Sequence, residues 1–254
     1  MTALELSRLS KRFGGVVASD EVDMIVPAGE ITGLIGPNGA GKTTIVNMIT
    51  GMLPVTSGRI LLGDRDIAHE PAHEICRAGL ARTFQNIRLL PEASVLDNVV
   101  AGFHRHESST LLSSLLGLPS SARETRTLRE RAATLLEKFD LTPLANHPAG
   151  ALSYGHQRKV EMARALATDP SFILLDEPIA GMNDAESGAL ESIFRGFADA
   201  GMGVLLIEHD VRFVAKLCTR VYVLDGGKLI SQGSPEEVLS DPEVIAAYLG
   251  AAHA

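Results

Sequence analysis

Apolar and polar residues roughly alternate over Leu4-Glu5-Leu6-Ser7 and again over Val22-Asp23-Met24-Ile25-Val26, the two-residue period of half-buried strands. Gly14-Gly15 lies between the two stretches and Pro27-Ala28-Gly29 follows them, so the pattern predicts antiparallel strands at one edge. Residues 31–35 read as a short strand that enters Gly36-Pro37-Asn38-Gly39-Ala40-Gly41, and residues 42–50 continue with helical spacing to Gly51. The runs 172–175 and 204–207 are wholly apolar and too short for buried helices. With a helical stretch between them they predict buried parallel strands. Residues 221–224, the turn Asp225-Gly226-Gly227 and residues 228–230 predict a closing hairpin. In Ser234-Pro235-Glu236-Glu237 an N-cap, a proline at the first helical position and a capping-box glutamate coincide, and Asp241-Pro242 starts another helix. Residues 234–254 therefore read as a helical tail.

Between Phe84 and Ala167 the pattern changes, with helical spacing over 122–139 and 156–167 and no strand between them. Residues 104–121 are rich in serine and leucine, contain Gly117 and Pro119, and read as a loop with a short helix. The expected fold is α/β: a mostly parallel core sheet, an antiparallel β edge subdomain, and a helical subdomain over 86–168. A length of 254 residues fits one large domain, 1–254.

Composition adds exclusions. Hydrophobic residues make up 45% and charged residues 21%, the balance of a folding globular chain. No window approaches 18 consecutive apolar residues, and residues 1–8 have no basic region followed by an apolar stretch, so neither a membrane span nor export is expected. A formal net charge of -8 disfavours sequence-independent attachment to nucleic acid, and no nucleic-acid partner is expected. Cys76 and Cys218 show no metal or redox spacing, which suits inert thiols in a reducing cytosol.

The chemistry begins at Gly36-x-x-x-x-Gly41-Lys42-Thr43, a P-loop pattern with a strand before it and a helix after it. Small residues let successive backbone N–H groups turn inward onto phosphate oxygens. Lys42 suits the β- and γ-phosphates, the Thr43 hydroxyl suits Mg²⁺, and Asn38, Gly39, Ala40 and Thr44 complete the nucleotide-binding stretch. Asp176 and Glu177 follow an apolar strand, which puts two carboxylates at the C-terminal edge of a parallel sheet. Asp176 suits the Mg²⁺ shell, and Glu177 a general base for an attacking water. His104 and His106 lack third and fourth ligands and read as a solvated loop, and the alternating charges of 123–131 read as a solvated helix face.

Leu152-Ser153-Tyr154-Gly155-His156-Gln157, with Ser153 placed as N-cap of the helix to Ala167, resembles the signature of ATP-binding-cassette (ABC) ATPases. The resemblance spreads over nearly the whole chain. It implies that Phe13 stacks on adenine, that Gln85 is the Q-loop residue sensing Mg²⁺ and γ-phosphate, that Asn183 belongs to a D-loop at 180–183, and that His209 is the switch histidine on the γ-phosphate. It also implies ATP and Mg²⁺ as cofactors. Two copies, or a copy and a paralogue, would pair head to tail, so that Ser153, Tyr154, Gly155 and His156 serve the ATP of the opposite one. Tyr154 replaces the first of two central glycines, His156 stands where glutamine is common, and Asn183 occupies a usual aspartate position.

Tyr154 fits the ATPases of branched-chain amino-acid uptake systems, which also look like this chain at Lys11-Arg12-Phe13-Gly14-Gly15, Ala180-Gly181-Met182-Asn183 and Ile245-Ala246-Ala247-Tyr248-Leu249-Gly250. The resemblance implies the ATP-hydrolysing subunit of a membrane importer, cytoplasmic and held at the inner membrane face by separate permease subunits. A solute-binding protein would be an indirect partner. Two alternatives stay open: the ATPase of lipopolysaccharide extraction, and a non-transport scaffold ATPase of the iron-sulfur assembly type.

Overall fold

The computed structural model describes residues 2–103 and 119–251. The described residues divide into two compact units: one takes in those up to Arg82, Ser171–Pro178 and those from Leu190 onward, the other those within Thr83–Pro170 and Ile179–Ala189.

In the first unit β1 (Ala3–Phe13) pairs antiparallel with β2 (Val16–Pro27) and with β4 (Ser57–Leu62), and β5 (Arg65–Asp66) completes a four-stranded sheet of order β2-β1-β4-β5. These strands form a sheet of their own and run longer than the alternation predicts. The charged positions Arg8, Lys11 and Arg12 hide the second half of β1, where Lys11 is nonetheless buried with its amine on the Pro54 carbonyl at 2.6 Å. The second sheet is six-stranded and comprises β10 (Lys228–Gly233), β9 (Arg220–Asp225), β3 (Ile31–Ile35), β8 (Gly203–Ile207), β7 (Phe172–Asp176) and β6 (Leu80–Arg82), in that spatial order. All its pairings are parallel except β10 with β9. Every residue of β3, β7 and β8 is buried, which is why those strands carry no polar alternation.

Helix α1 (Lys42–Ile49) joins the two sheets into one core: Ile45, Val46, Met48 and Ile49 cluster with Leu4, Leu6 and Met24 of the first sheet and Leu34, Leu174 and Leu205 of the second. Each such side chain contributes about 1.5–3 kcal/mol by leaving water. The core thereby fixes the rotation of the helix whose first turn follows the glycine loop. Strands β4 and β6 and helices α2 (Ala72–Arg77) and α3 (Val95–Gly102) lie outside the elements expected from the pattern. They are too short to display a period and are specified by their neighbours.

In the second unit α3, N-capped by Ser94 Oγ on the Asp97 N–H, approaches α5 (Tyr154–Leu166) so closely that a Cβ at Gly102 would lie 2.3 Å from the Arg164 carbonyl oxygen. Helix α4 (Pro119–Lys138) buries Leu128, Ala132 and Leu136, a one-turn spacing that gives it a single apolar face. It starts at Pro119 rather than 122, since proline suits a first helical turn. The rest of the stretch expected as a loop, 104–118 with His104 and His106, lies outside the described residues.

In the first unit α6 (Asp184–Asp199) continues from the second, followed by α7 (Val211–Leu217), α8 (Pro235–Ser240) and α9 (Pro242–Ala251). The capping box of α8 is complete in both directions.

Candidate functional site

The loop between β3 and α1 is shaped by contacts that only glycine permits. Gly36 has φ 148°, and a Cβ there would lie 2.0 Å from the Leu224 carbonyl oxygen of β9; at Gly41, φ 103°, it would lie 2.6 Å from the Ala18 carbonyl oxygen of β2. The loop is also tied to the β9-β10 turn, where the Gly227 N–H donates to the Ala40 carbonyl at 2.9 Å. At its outer point Gly39 has open space where a side chain would project. No side chain caps the N-terminus of α1 and its first turn holds no acid. First-turn amides uncapped by side chains, with the positive end of the helix dipole, form a cradle for phosphate.

Lys42 is buried, and its ammonium donates to the carbonyls of Gly36 at 2.6 Å and Pro37 at 3.0 Å. Burial pushes its pKa down, while the charges of Glu177 and then Asp176 oppose that shift. Asn38 and Thr43 are exposed and Thr44 half-buried beside it.

Asp176 ends β7 and is buried, with Oδ2 2.8 Å from Arg82 Nη2. The other arm of Arg82 donates to Asn47 Oδ1 at 2.7 Å and Thr50 Oγ1 at 3.2 Å, both on the α1 side of the core. Arg82 is a site neighbour that sequence reasoning missed. Its signal was a cation closing a short strand three residues before Gln85. Glu177 takes a left-handed backbone, φ 48°, with its N–H on the Ile207 carbonyl of β8 at 2.9 Å. For a residue with a Cβ this costs about 1–2 kcal/mol. The sharp turn places a carboxylate immediately beyond the buried Asp176.

After β8, Glu208 is fully buried and His209 is exposed, its Nδ1 3.6 Å from Glu208 Oε2. Glu208 is a second missed neighbour, hidden because it reads as a polar residue leaving a strand. Thus the glycine loop after β3, the acids after β7 and the histidine after β8 leave the same C-terminal edge of one parallel sheet, where open α/β sheets bind ligands. Phe13 ends β1 with half its surface exposed and the Lys11 ammonium 5.0 Å from its ring centroid. It pairs with Val16, two residues before the Ala18 that touches Gly41, so the ring belongs to the hairpin lying against the glycine loop.

Among the described residues no three His, Cys, Asp or Glu side chains gather as a metal site. One carboxylate and one hydroxyl, Asp176 and Thr43, nevertheless suit Mg²⁺, which takes few protein ligands and shares its shell with substrate phosphates and water.

The second unit brings three further segments together. Ser153 is the N-cap of α5; its Oγ accepts the His156 N–H at 3.4 Å and lies 3.0 Å from His156 Nδ1. Asn183 caps α6, its Oδ1 accepting from the Glu186 N–H at 3.0 Å while its own N–H donates to Glu186 Oε2 at 3.1 Å. Gln85 is exposed, and its carbonyl accepts from Arg158 Nη2 at 2.8 Å. Arg158, Glu161 and Glu186 were missed, because charged residues on a helix read as solvent-facing unless burial is known.

A strand, a glycine loop and an anion-ready helix beside paired acids define a P-loop nucleoside-triphosphatase domain. Comparison with known proteins gives the family. The ABC transporter family model matches residues 19–180, and a second model, of branched-chain amino acid ATP-binding cassette transporters, matches residues 228–254. The chain is 41% identical over 98% of its length, and 98% of the relative's, to the high-affinity branched-chain amino acid transport ATP-binding protein BraF of Pseudomonas aeruginosa. It is 37% identical, with the same coverage of both, to the lipopolysaccharide export system ATP-binding protein LptB of Escherichia coli K12. Among solved structures, the ADP conformation of MJ1267, an ATP-binding cassette of an ABC transporter, superposes with a TM-score of 0.86 at 35% identity, covering 98% of this chain and 99% of that one. The chain belongs to the ABC transporter family, as one of its ATP-binding, ATP-hydrolysing cassettes.

Proposed function

We propose that this cassette is the Mg²⁺-dependent ATPase subunit of a membrane importer for branched-chain or related amino acids. The observation that carries the solute class is the match of residues 228–254 to the branched-chain transporter model, a segment beyond the residues that the general ABC transporter model matches. Tyr154 in the signature and the 41% identity to a branched-chain relative support it. That C-terminal match favours import over the lipopolysaccharide reading, which rests on 37% identity alone.

In this reading the amides of residues 38–44 and the Lys42 ammonium hold the phosphates, and Phe13 stacks on adenine. Asp176 and Thr43 would hold Mg²⁺, which neutralises phosphate charge when bound. Glu177 accepts a proton from the attacking water, and His209 and Gln85 contact the γ-phosphate. Ser153 and its neighbours present the N-terminus of α5 to the ATP of a second copy or paralogue, paired head to tail. No described helix is long and apolar enough to cross a membrane, so separate permease subunits would seat the chain at the cytoplasmic membrane face.

Two measurements test this. Glu177→Gln keeps shape and removes the base, so turnover should fall by at least about a hundredfold while ATP stays bound and holds two copies together. Wild-type turnover in that variant would remove Glu177 from the chemistry. Vesicles carrying the permease subunits and this chain should accumulate leucine, isoleucine or valine only with ATP inside, and uptake of an unrelated solute alone would overturn the solute class.

A further inference from the structure

Tyr154 stands where the general signature has glycine, and the structure gives the ring two neighbours within the second unit. A Cβ at Gly181, φ +75°, would lie 3.5 Å from Tyr154 Cε1 and 3.8 Å from Cδ1, so the ring lies beside Gly181. Its hydroxyl accepts from Arg158 Nη2 at 3.1 Å, and the guanidinium carbon lies 5.6 Å from the ring centroid.

Arg158 is fully buried. Nη2 also donates to the Gln85 carbonyl at 2.8 Å, and Nη1 donates to the Phe84 carbonyl and, at 2.9 Å, to Glu161 Oε2. Glu161 Oε1 in turn accepts the Phe84 N–H at 3.4 Å. Burial pushes the Glu161 carboxyl pKa up, and the Arg158 hydrogen bond and charge oppose it. A second fastening lies alongside: Glu186 Oε1 sits 2.7 Å from where a Cβ at Gly155 would project, and its Oε2 holds the Asn183 N–H. A Cβ at 155 would push that carboxylate aside.

We propose that Tyr154 and Arg158 are positioning residues that fasten the Gln85 backbone, the signature turn and the 180–183 loop into one body, so that a displacement of Gln85 on nucleotide binding is passed to Ser153. The proposal rests on the ATPase reading above. A buried ion pair is often no more stabilising than apolar residues of similar volume, so stability alone does not call for Arg158. A planar fork reaching two carbonyls, a carboxylate and a phenol fixes relative position, which neither lysine nor an apolar side chain reproduces.

The test uses the full chain with Tyr154→Phe, Arg158→Lys and the double variant Arg158→Met/Glu161→Leu, which removes both buried charges together. Expected are a loss of kcat of about two- to fivefold for Tyr154→Phe and at least about tenfold for the other two. ADP affinity by calorimetry should stay within about twofold in all three, because in the proposed reading ADP is held by the glycine loop. Wild-type kcat in a folded double variant would overturn the proposal. So would a fall in ADP affinity parallel to kcat, or a double-variant melting temperature lowered by more than about 10 °C, which would show that the pair carries the fold. Absence of turnover in the wild-type chain would instead sink the ATPase reading.

Discussion

At Lys42 a single side chain closes the glycine loop on itself. Its ammonium satisfies the Gly36 and Pro37 carbonyls, bonds that in the proposed reading yield to phosphate oxygens when nucleotide binds. Burial pushes the Lys42 pKa down, and the charges of Glu177 and Asp176 oppose that shift. Lys42→Ala removes two side-chain bonds from a loop also tied to the β9-β10 turn by the Gly227 N–H on the Ala40 carbonyl. The variant should fold with near-wild-type melting and lose at least about tenfold in Mg-ATP affinity, since a charge-assisted contact to phosphate is lost. Calorimetry reads this directly, and unchanged affinity would remove Lys42 from the phosphate site. Cys218 shows the opposite case: burial alone pushes its thiol pKa up to about 12, leaving it inert.

Two helices show contrasting termini at the scale of elements. Helix α1 leaves its N-terminus without a side-chain cap, while α8 is closed by Ser234 and Glu237, the Glu237 carboxylate accepting the Ser234 N–H at 2.8 Å. The Ser234 backbone hydrogen bond holds the Glu237 pKa below its ordinary value near 4.5, and the Ser231 hydroxyl together with the Glu243 N–H holds Asp241 below 3.8. Depressed carboxylates bind protons less readily folded than unfolded, so their contribution is complete above those ordinary values and is lost as pH falls through the folded ones. Amide protection in 235–240 should therefore weaken below about pH 4. Glu237→Gln should flatten that dependence, as read by hydrogen exchange corrected for intrinsic rate. Equal slopes in both proteins would assign the acid response elsewhere.

At the scale of the whole molecule the proposed function sets two tasks, holding nucleotide and meeting a membrane partner, and we assign them to different stretches of chain. Residues 104–121 lie far in sequence from every nucleotide motif; 104–118 are outside the described residues and 119–121 open α4 of the second unit. Shortening this stretch changes loop-closure entropy by only a few tenths of a kcal/mol, roughly. ATP binding should thus survive the deletion, while permease copurification and solute uptake should fall. Normal uptake with normal copurification would remove the segment from the coupling surface.

The sequence by itself determined the parts whose physics is local. The glycine spacing at 36–41 follows from positive φ values at Gly36, Gly39 and Gly41, a local backbone property that favours glycine, and the Ser153, Ser234 and Pro235 helix starts follow from capping within three residues. The apolar runs of β7 and β8 announced strands buried on both faces. Tertiary structure alone decided what depends on partners distant in the chain. Strand β6 has three residues and exists because β7 pairs with it, and only that pairing brings Arg82 to Asp176 across an interval of 94 residues. The fork of Arg158 onto Phe84 and Gln85 spans 74 and 73 residues, and nothing in a helix periodicity marks one arginine among several as the buried one. Hydrophobic period and caps are properties of a few consecutive residues, whereas the burial of a charge is set by what the rest of the fold places around it.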